Sequence, residues 1–180
     1  MLYSLMYYFL IDCGFGVYRV AGTVYDLDGD KWKSDDRHVI IILNYSDLEI
    51  YIGGGFATHL PLNPVPFSEE VISAQKGKYR IRKQNTDKGT YLLEMKKGEN
   101  VESAQFLNSE PTNTWRIGYT FTLDEIDTNK VNLIQNIMVE HLESPFNKGY
   151  IICKLIEDGH VSLTKRNFTE TKKGKKENKL

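Results

Sequence analysis

Six consecutive residues, His38-Val39-Ile40-Ile41-Ile42-Leu43, constrain this chain more than any other stretch. The run is β-branched and too short for a helix of typical length, so it predicts a strand. Its apolar residues fall at both parities. Successive side chains in a strand point to opposite faces, so this strand must be covered on both sides. Glu49 to Ile52 is its natural hairpin partner, joined by the short polar link Asn44 to Asp47. Further strand signals lie at 17–25, 78–83, 91–95, 115–122, 150–156 and 161–164. Asp26 to Asp36 is polar and reads as a turn region, and three glycines and three prolines between Gly53 and Phe67 exclude regular structure there. Leu2, Leu5, Met6, Phe9, Leu10 and Cys13 recur at helical spacing, and Gly14 ends that helix. A second, amphipathic helix runs from Asn129 to Leu142, with apolar residues at 131, 134, 137, 138 and 142. The pattern is a β-dominated chain, a barrel with one helix near each end.

Composition narrows the function. A net charge of −1 over 180 residues gives no electrostatic pull toward nucleic acid or anionic lipid. The apolar start, Met1 to Ile11, lacks a basic leader and a cleavage site and is too short to span a bilayer, so the expected compartment is cytoplasmic. The two cysteines, Cys13 and Cys153, make no disulfide framework and read as buried apolar packing. No metal-ligand spacing occurs. Gly53-Gly54-Gly55-Phe56 follows a strand, but no Gly-Lys-Ser/Thr comes after it, which argues against a phosphate loop. The lysine-rich end from Thr171 reads as a solvated, disordered tail.

Four segments, in order, resemble the arylamine N-acetyltransferase family. Gly14-Phe15 and the Val20 to Val24 strand are similar to a "GF" pair and the strand after it. His38 to Leu43 resembles the "HxxLLV" strand that carries the family's catalytic histidine. Tyr51 to Ala57, with Pro61, Pro64, Val65 and Pro66, resembles "YLVDVGFG…PLxPLPL". Glu143-Ser144-Pro145-Phe146 and the hairpin from Ile151 to Leu163 are similar to "SPxSxF" and the closing hairpin with its "DG" turn.

The resemblance implies an α+β fold with a central antiparallel β-barrel and a C-terminal α/β lid, the family's N-terminal helical domain being mostly missing. The expected division is a remnant helix at 1–13, barrel at 14–110, lid at 111–170 and tail at 171–180. The implied reaction is acetyl transfer from acetyl-CoA to an arylamine or hydrazine through a Cys-His-Asp triad. A thiol is mostly protonated at neutral pH, so an imidazole must hold it as thiolate, and a carboxylate orients the imidazole. His38 falls on the base position; on its own it reads as a strand-end residue. The aspartate position falls on Gly53. Asp47 and Glu49 share its strand face, but even Glu49 is about 13 Å away along an extended strand. The family's nucleophile lies in an "RGGxCxExN" stretch that these residues do not contain, and neither Cys13 nor Cys153 stands in its place. The chain is therefore expected to be catalytically inactive. The alternatives are a pseudoenzyme that binds CoA or arylamine without chemistry, and a fragment of a broken gene. By resemblance Gly54, Gly55, Phe56 and Ser144 are the candidate CoA contacts, and Glu143 opposes CoA phosphates there. The first helix, with no bundle to cover it, is expected to drive self-association.

Overall fold

The computed structural model describes residues 2–26, 29–33, 35–52, 61, 63–74, 77–97, 114–142, 144, 149–157, 159–172 and 175–178. Helix α1 (Leu2–Asp12) leads into β1 (Gly16–Asp26), β2 (Lys31–Trp32), β3 (His38–Tyr45), β4 (Leu48–Ile52), β5 (Val65–Pro66), β6 (Ile72–Ala74), β7 (Gly77–Lys83), β8 (Tyr91–Lys97) and β9 (Arg116–Glu125). Helix α2 (Thr128–Glu140) follows, then β10 (Ile151–Ile156), β11 (Gly159–Thr164), β12 (Phe168–Lys172) and β13 (Lys175–Asn178).

Nine strands form one antiparallel sheet in the order β5-β4-β3-β1-β9-β8-β7-β6, with β2 added to β1. The sheet curls until β5 lies against β7, and Asn63 Nδ2 donates to the Ser73 carbonyl at 3.0 Å across the gap. The result is a nearly closed barrel, as the strand pattern predicts. Alternate residues fill it: Val20, Ile40, Ile42, Tyr51, Tyr79, Ile81, Leu93, Tyr119 and Phe121 form the interior. The opposite parity of β1 and β3, Ala21 and Val39, packs outward against Val131 and Ile134 of α2. The strand His38–Tyr45 is thus covered on both faces, one by the barrel interior and one by a helix. The turn after it bends through Ser46 and Asp47, both at positive φ, which fits a tight two-residue hairpin.

Helix α1 ends as its sequence predicts. Gly14 has φ +84, its N–H reaches the Ile11 carbonyl at 2.8 Å, and the Phe15 N–H reaches Leu10 at 3.0 Å. That is the paired bonding of a glycine-terminated helix end. Asp127 caps α2, its carboxylate accepting from the Lys130 N–H at 2.8 Å. Arg19, buried on β1, ties the two helices to the barrel: its guanidinium lies 4.1 Å from the Tyr7 ring centroid and donates to Thr128 Oγ1 at 3.1 Å.

The structure departs from the sequence reading in several places. The basic end is not disordered throughout: Lys175–Asn178 pairs with β12 as the last strand of a four-stranded sheet, β10-β11-β12-β13. Backbone pairing with a neighbouring strand needs no apolar side chains, so composition alone missed it. The expected lid, 111–170, is not one unit of sheet, since β9 lies between β1 and β8 in the barrel. Val65–Pro66 pairs with β4 inside the stretch expected to be irregular. Both cysteines are exposed rather than packed. Cys13 sits past the end of α1, and Cys153 lies on β10, one of the two edge strands of its sheet. Leu142, counted on the apolar face of the second helix, lies beyond its end and is exposed.

Candidate active site

His38 opens β3 with its side chain on the barrel-interior parity, two residues before Ile40. In the cross-strand register Gly22 of β1 stands opposite His38 on one side and opposite Phe121 of β9 on the other. A Cβ at Gly22 would lie 2.8 Å from Ile40 Cδ1 and 3.0 Å from the Thr120 carbonyl oxygen. Gly22 therefore lets β3 and β9 pack closely on either side of β1, and the imidazole meets the Tyr119 ring of β9 at a centroid distance of 4.8 Å. On its other flank Tyr3 of α1 makes an edge-on contact at 5.7 Å, with its hydroxyl 3.4 Å from His38 Nε2. Behind Tyr119, the Tyr119 hydroxyl donates to that of Tyr51, both rings being fully buried. Burial raises the pKa of both phenols, so they stay protonated at any physiological pH.

The same apolar enclosure acts on the imidazole. Burial pushes His38 from its ordinary 6.5 down to about 4, because a cation among aromatic rings loses its hydration. The imidazole is therefore neutral near pH 7 and can accept a proton only if something compensates the charge.

The other residues singled out from the sequence divide. Ser144 is buried; its hydroxyl donates to the Met138 carbonyl and its N–H to the His141 carbonyl at 2.9 Å, so it ties off the end of α2. Gly53, Gly54, Gly55 and Phe56 lie outside the described residues, as does Glu143. Glu49 accepts the Tyr18 hydroxyl at 2.6 Å. Among the described residues no group of three or more His, Cys, Asp or Glu is placed to hold a metal, and no helix is long and apolar enough to cross a membrane. The sequence reading missed Tyr3 and Tyr119 as the walls around His38, and Tyr51 as the partner behind Tyr119. The one signal for them was the abundance of tyrosine, 11 residues, which says nothing of where each ring goes.

The architecture is a nearly closed antiparallel barrel with a helix on its outer face, a histidine heading an internal strand, and a second, four-stranded sheet. Residues 2–180 match the family described as N-acetyltransferase, and the chain belongs to the arylamine N-acetyltransferase family. Arylamine N-acetyltransferase C from Bacillus anthracis shares 58% identity and superposes with a TM-score of 0.83, over 98% of this chain and 64% of that one. An arylamine N-acetyltransferase from Bacillus cereus, described as having a unique Cys-His-Glu catalytic triad, shares 45% identity at a TM-score of 0.81, over 96% of this chain and 62% of that one. An uncharacterised acetyltransferase of Bacillus subtilis is 34% identical over 168 residues, 93% of this chain and 61% of that protein. The chain thus spans less than two thirds of the length of each.

Proposed function

We propose that these 180 residues form the barrel, the lid and the base position of an arylamine N-acetyltransferase-type protein, and that by themselves they do not transfer acetyl groups. The reading implies acetyl-CoA as donor and an arylamine or hydrazine as acceptor, with His38 as the triad base. What carries the second half is the position of the thiols relative to His38. Tyr3 touches the imidazole, and Cys13 lies ten residues further on, just past the far end of that helix. At 1.5 Å rise per residue the backbones of Tyr3 and Cys13 are about 15 Å apart, so the residue at the imidazole and the thiol stand at opposite ends of the helix. Cys153 belongs to the other sheet. Neither thiol is placed to pass its proton to the imidazole.

The carboxylate side is also incomplete. By the family resemblance the triad acid position falls on Gly53, and Glu49, the last acid before it in the chain, is engaged with Tyr18. An imidazole that prefers the neutral state offers little charge to hold a thiolate. The test is to incubate the purified chain with radiolabelled acetyl-CoA and an arylamine and follow both protein-bound label and acetylated product. Background hydrolysis only is the expected result. Stoichiometric label on Cys13 or Cys153 together with turnover would overturn the proposal.

A further inference from the structure

The four-stranded sheet has two edges of opposite character. At one, β13 is four residues long, fully exposed, and carries Lys175, Lys176 and Glu177. Charges on a short edge strand discourage pairing with another chain. At the other, β10 pairs among the described residues with β11 alone, and its central segment is Ile152-Cys153-Lys154. Ile152 is 58% exposed. It stands opposite Leu163 of β11, which stands opposite Phe168 of β12. Opposed residues share a sheet face, so the three make one apolar row across the sheet that stops in solvent at the β10 edge.

We propose that this edge pairs antiparallel with the same edge of a second copy of the chain, Ile152 lying on the two-fold axis. Two-fold pairing of a strand with itself places residues of equal parity opposite each other, which leaves registers two residues apart. Only one of them sets Ile152 against Ile152. In that register the row runs unbroken through Phe168, Leu163 and Ile152 of one copy into Ile152, Leu163 and Phe168 of the other. Lys154 then faces Tyr150 of the second copy, and Cys153 faces Ile151, so no like charges meet. The next register in one direction sets Ile152 against Lys154, and in the other against Tyr150; both break the row. The resulting dimer is an eight-stranded continuous sheet whose outer edges are the two charged β13 strands. This surface is separate from the exposed face of α1, and the proposal does not depend on the acetyltransferase reading.

The experiment uses the full chain with Cys13→Ser and Cys153→Ser, into which Ile152→Cys is introduced. Opposed Cα atoms in an antiparallel pair lie about 4.5–5.5 Å apart, within disulfide reach. Copper-phenanthroline, taking two electrons from the two thiols, should convert most of this variant to a covalent dimer. Lys175→Cys in the same background should stay monomeric. In parallel, sedimentation of otherwise native chains should show Ile152→Lys weakening the dimer at least ten-fold, while Leu5→Ser with Phe9→Ser leaves this contact intact. Circular dichroism checks that each variant is folded; Ile152 is exposed, so the substitution leaves the monomer's core untouched. A wild-type monomer at high micromolar concentration, a dimer that survives Ile152→Lys, or equal cross-linking at positions 152 and 175 would overturn the proposal.

Discussion

Acidification should weaken this fold through His38 in particular. The folded imidazole has a pKa near 4, held down by burial, against about 6.5 in an unfolded chain. Between these values the unfolded chain binds a proton that the folded chain refuses. The associated stability is fully present above about pH 6.5 and falls as pH drops toward 4. A gap of two to three units at 1.36 kcal/mol each amounts to about 3 kcal/mol once pH is below 4, and to about 2.5 kcal/mol at pH 4.5. That is a large share of the ~5–15 kcal/mol that holds a domain. The assay is urea unfolding at several values from about pH 7.5 to 4.5, on wild type and on His38→Phe, which fills the aromatic pocket but cannot titrate. The substitution loses the Tyr3 contact, so absolute stabilities will differ; the quantity compared is the slope with pH. All other titratable groups are common to the two proteins, so their contributions cancel in the comparison. Wild type should lose about 2.5 kcal/mol more than the variant across that range. Parallel profiles would refute the reasoning, and would mean that the imidazole is solvated or charge-compensated in solution.

Three other outcomes follow from the geometry. Gly22→Ala should destabilise by about 1–3 kcal/mol, since the new methyl meets Ile40 and the Thr120 carbonyl; chemical denaturation reads it, and an unchanged midpoint would say that β1 and β9 can separate freely there. Glu94 is buried between Arg80 and Arg82 at 2.7 and 2.8 Å. Glu94→Ala should cost about 1–3 kcal/mol by thermal or urea melting, less than a fully buried pair because both arginines reach solvent, and Glu94→Gln should recover part of it. Leu5 and Phe9 on α1 are 70% and 59% exposed, so the wild-type chain should bind a hydrophobic dye, and Leu5→Ser with Phe9→Ser should abolish most of that fluorescence while leaving the barrel's melting transition in place.

Much of this fold is written in local chemistry. The apolar run His38 to Leu43 dictates a strand covered on both faces, Gly14 dictates where α1 stops, and Ser46 and Asp47 sit where the polar link predicted a hairpin turn. These features depend on spacing and on intrinsic backbone preference, which a sequence displays directly. The family resemblance, too, was carried by short motifs at fixed order. The surroundings of His38 were not legible. Tyr3 is 35 residues away in the chain and Tyr119 is on β9; Tyr3 meets the imidazole because α1 packs on β1 and β3, and Tyr119 because only β1 lies between β3 and β9. Both cysteines looked like core residues because an isolated thiol beside apolar neighbours carries no mark of which strand will end up outermost. The last strand was hidden for the complementary reason: Lys175–Asn178 has no apolar signal, and it is ordered by the backbone of β12. Sequence determined which segments became strands and helices and which histidine heads the internal strand. Tertiary structure decided what that histidine touches and how far the thiols lie from it, because those distances are set by the order of strands in the sheet and not by any residue's own preference.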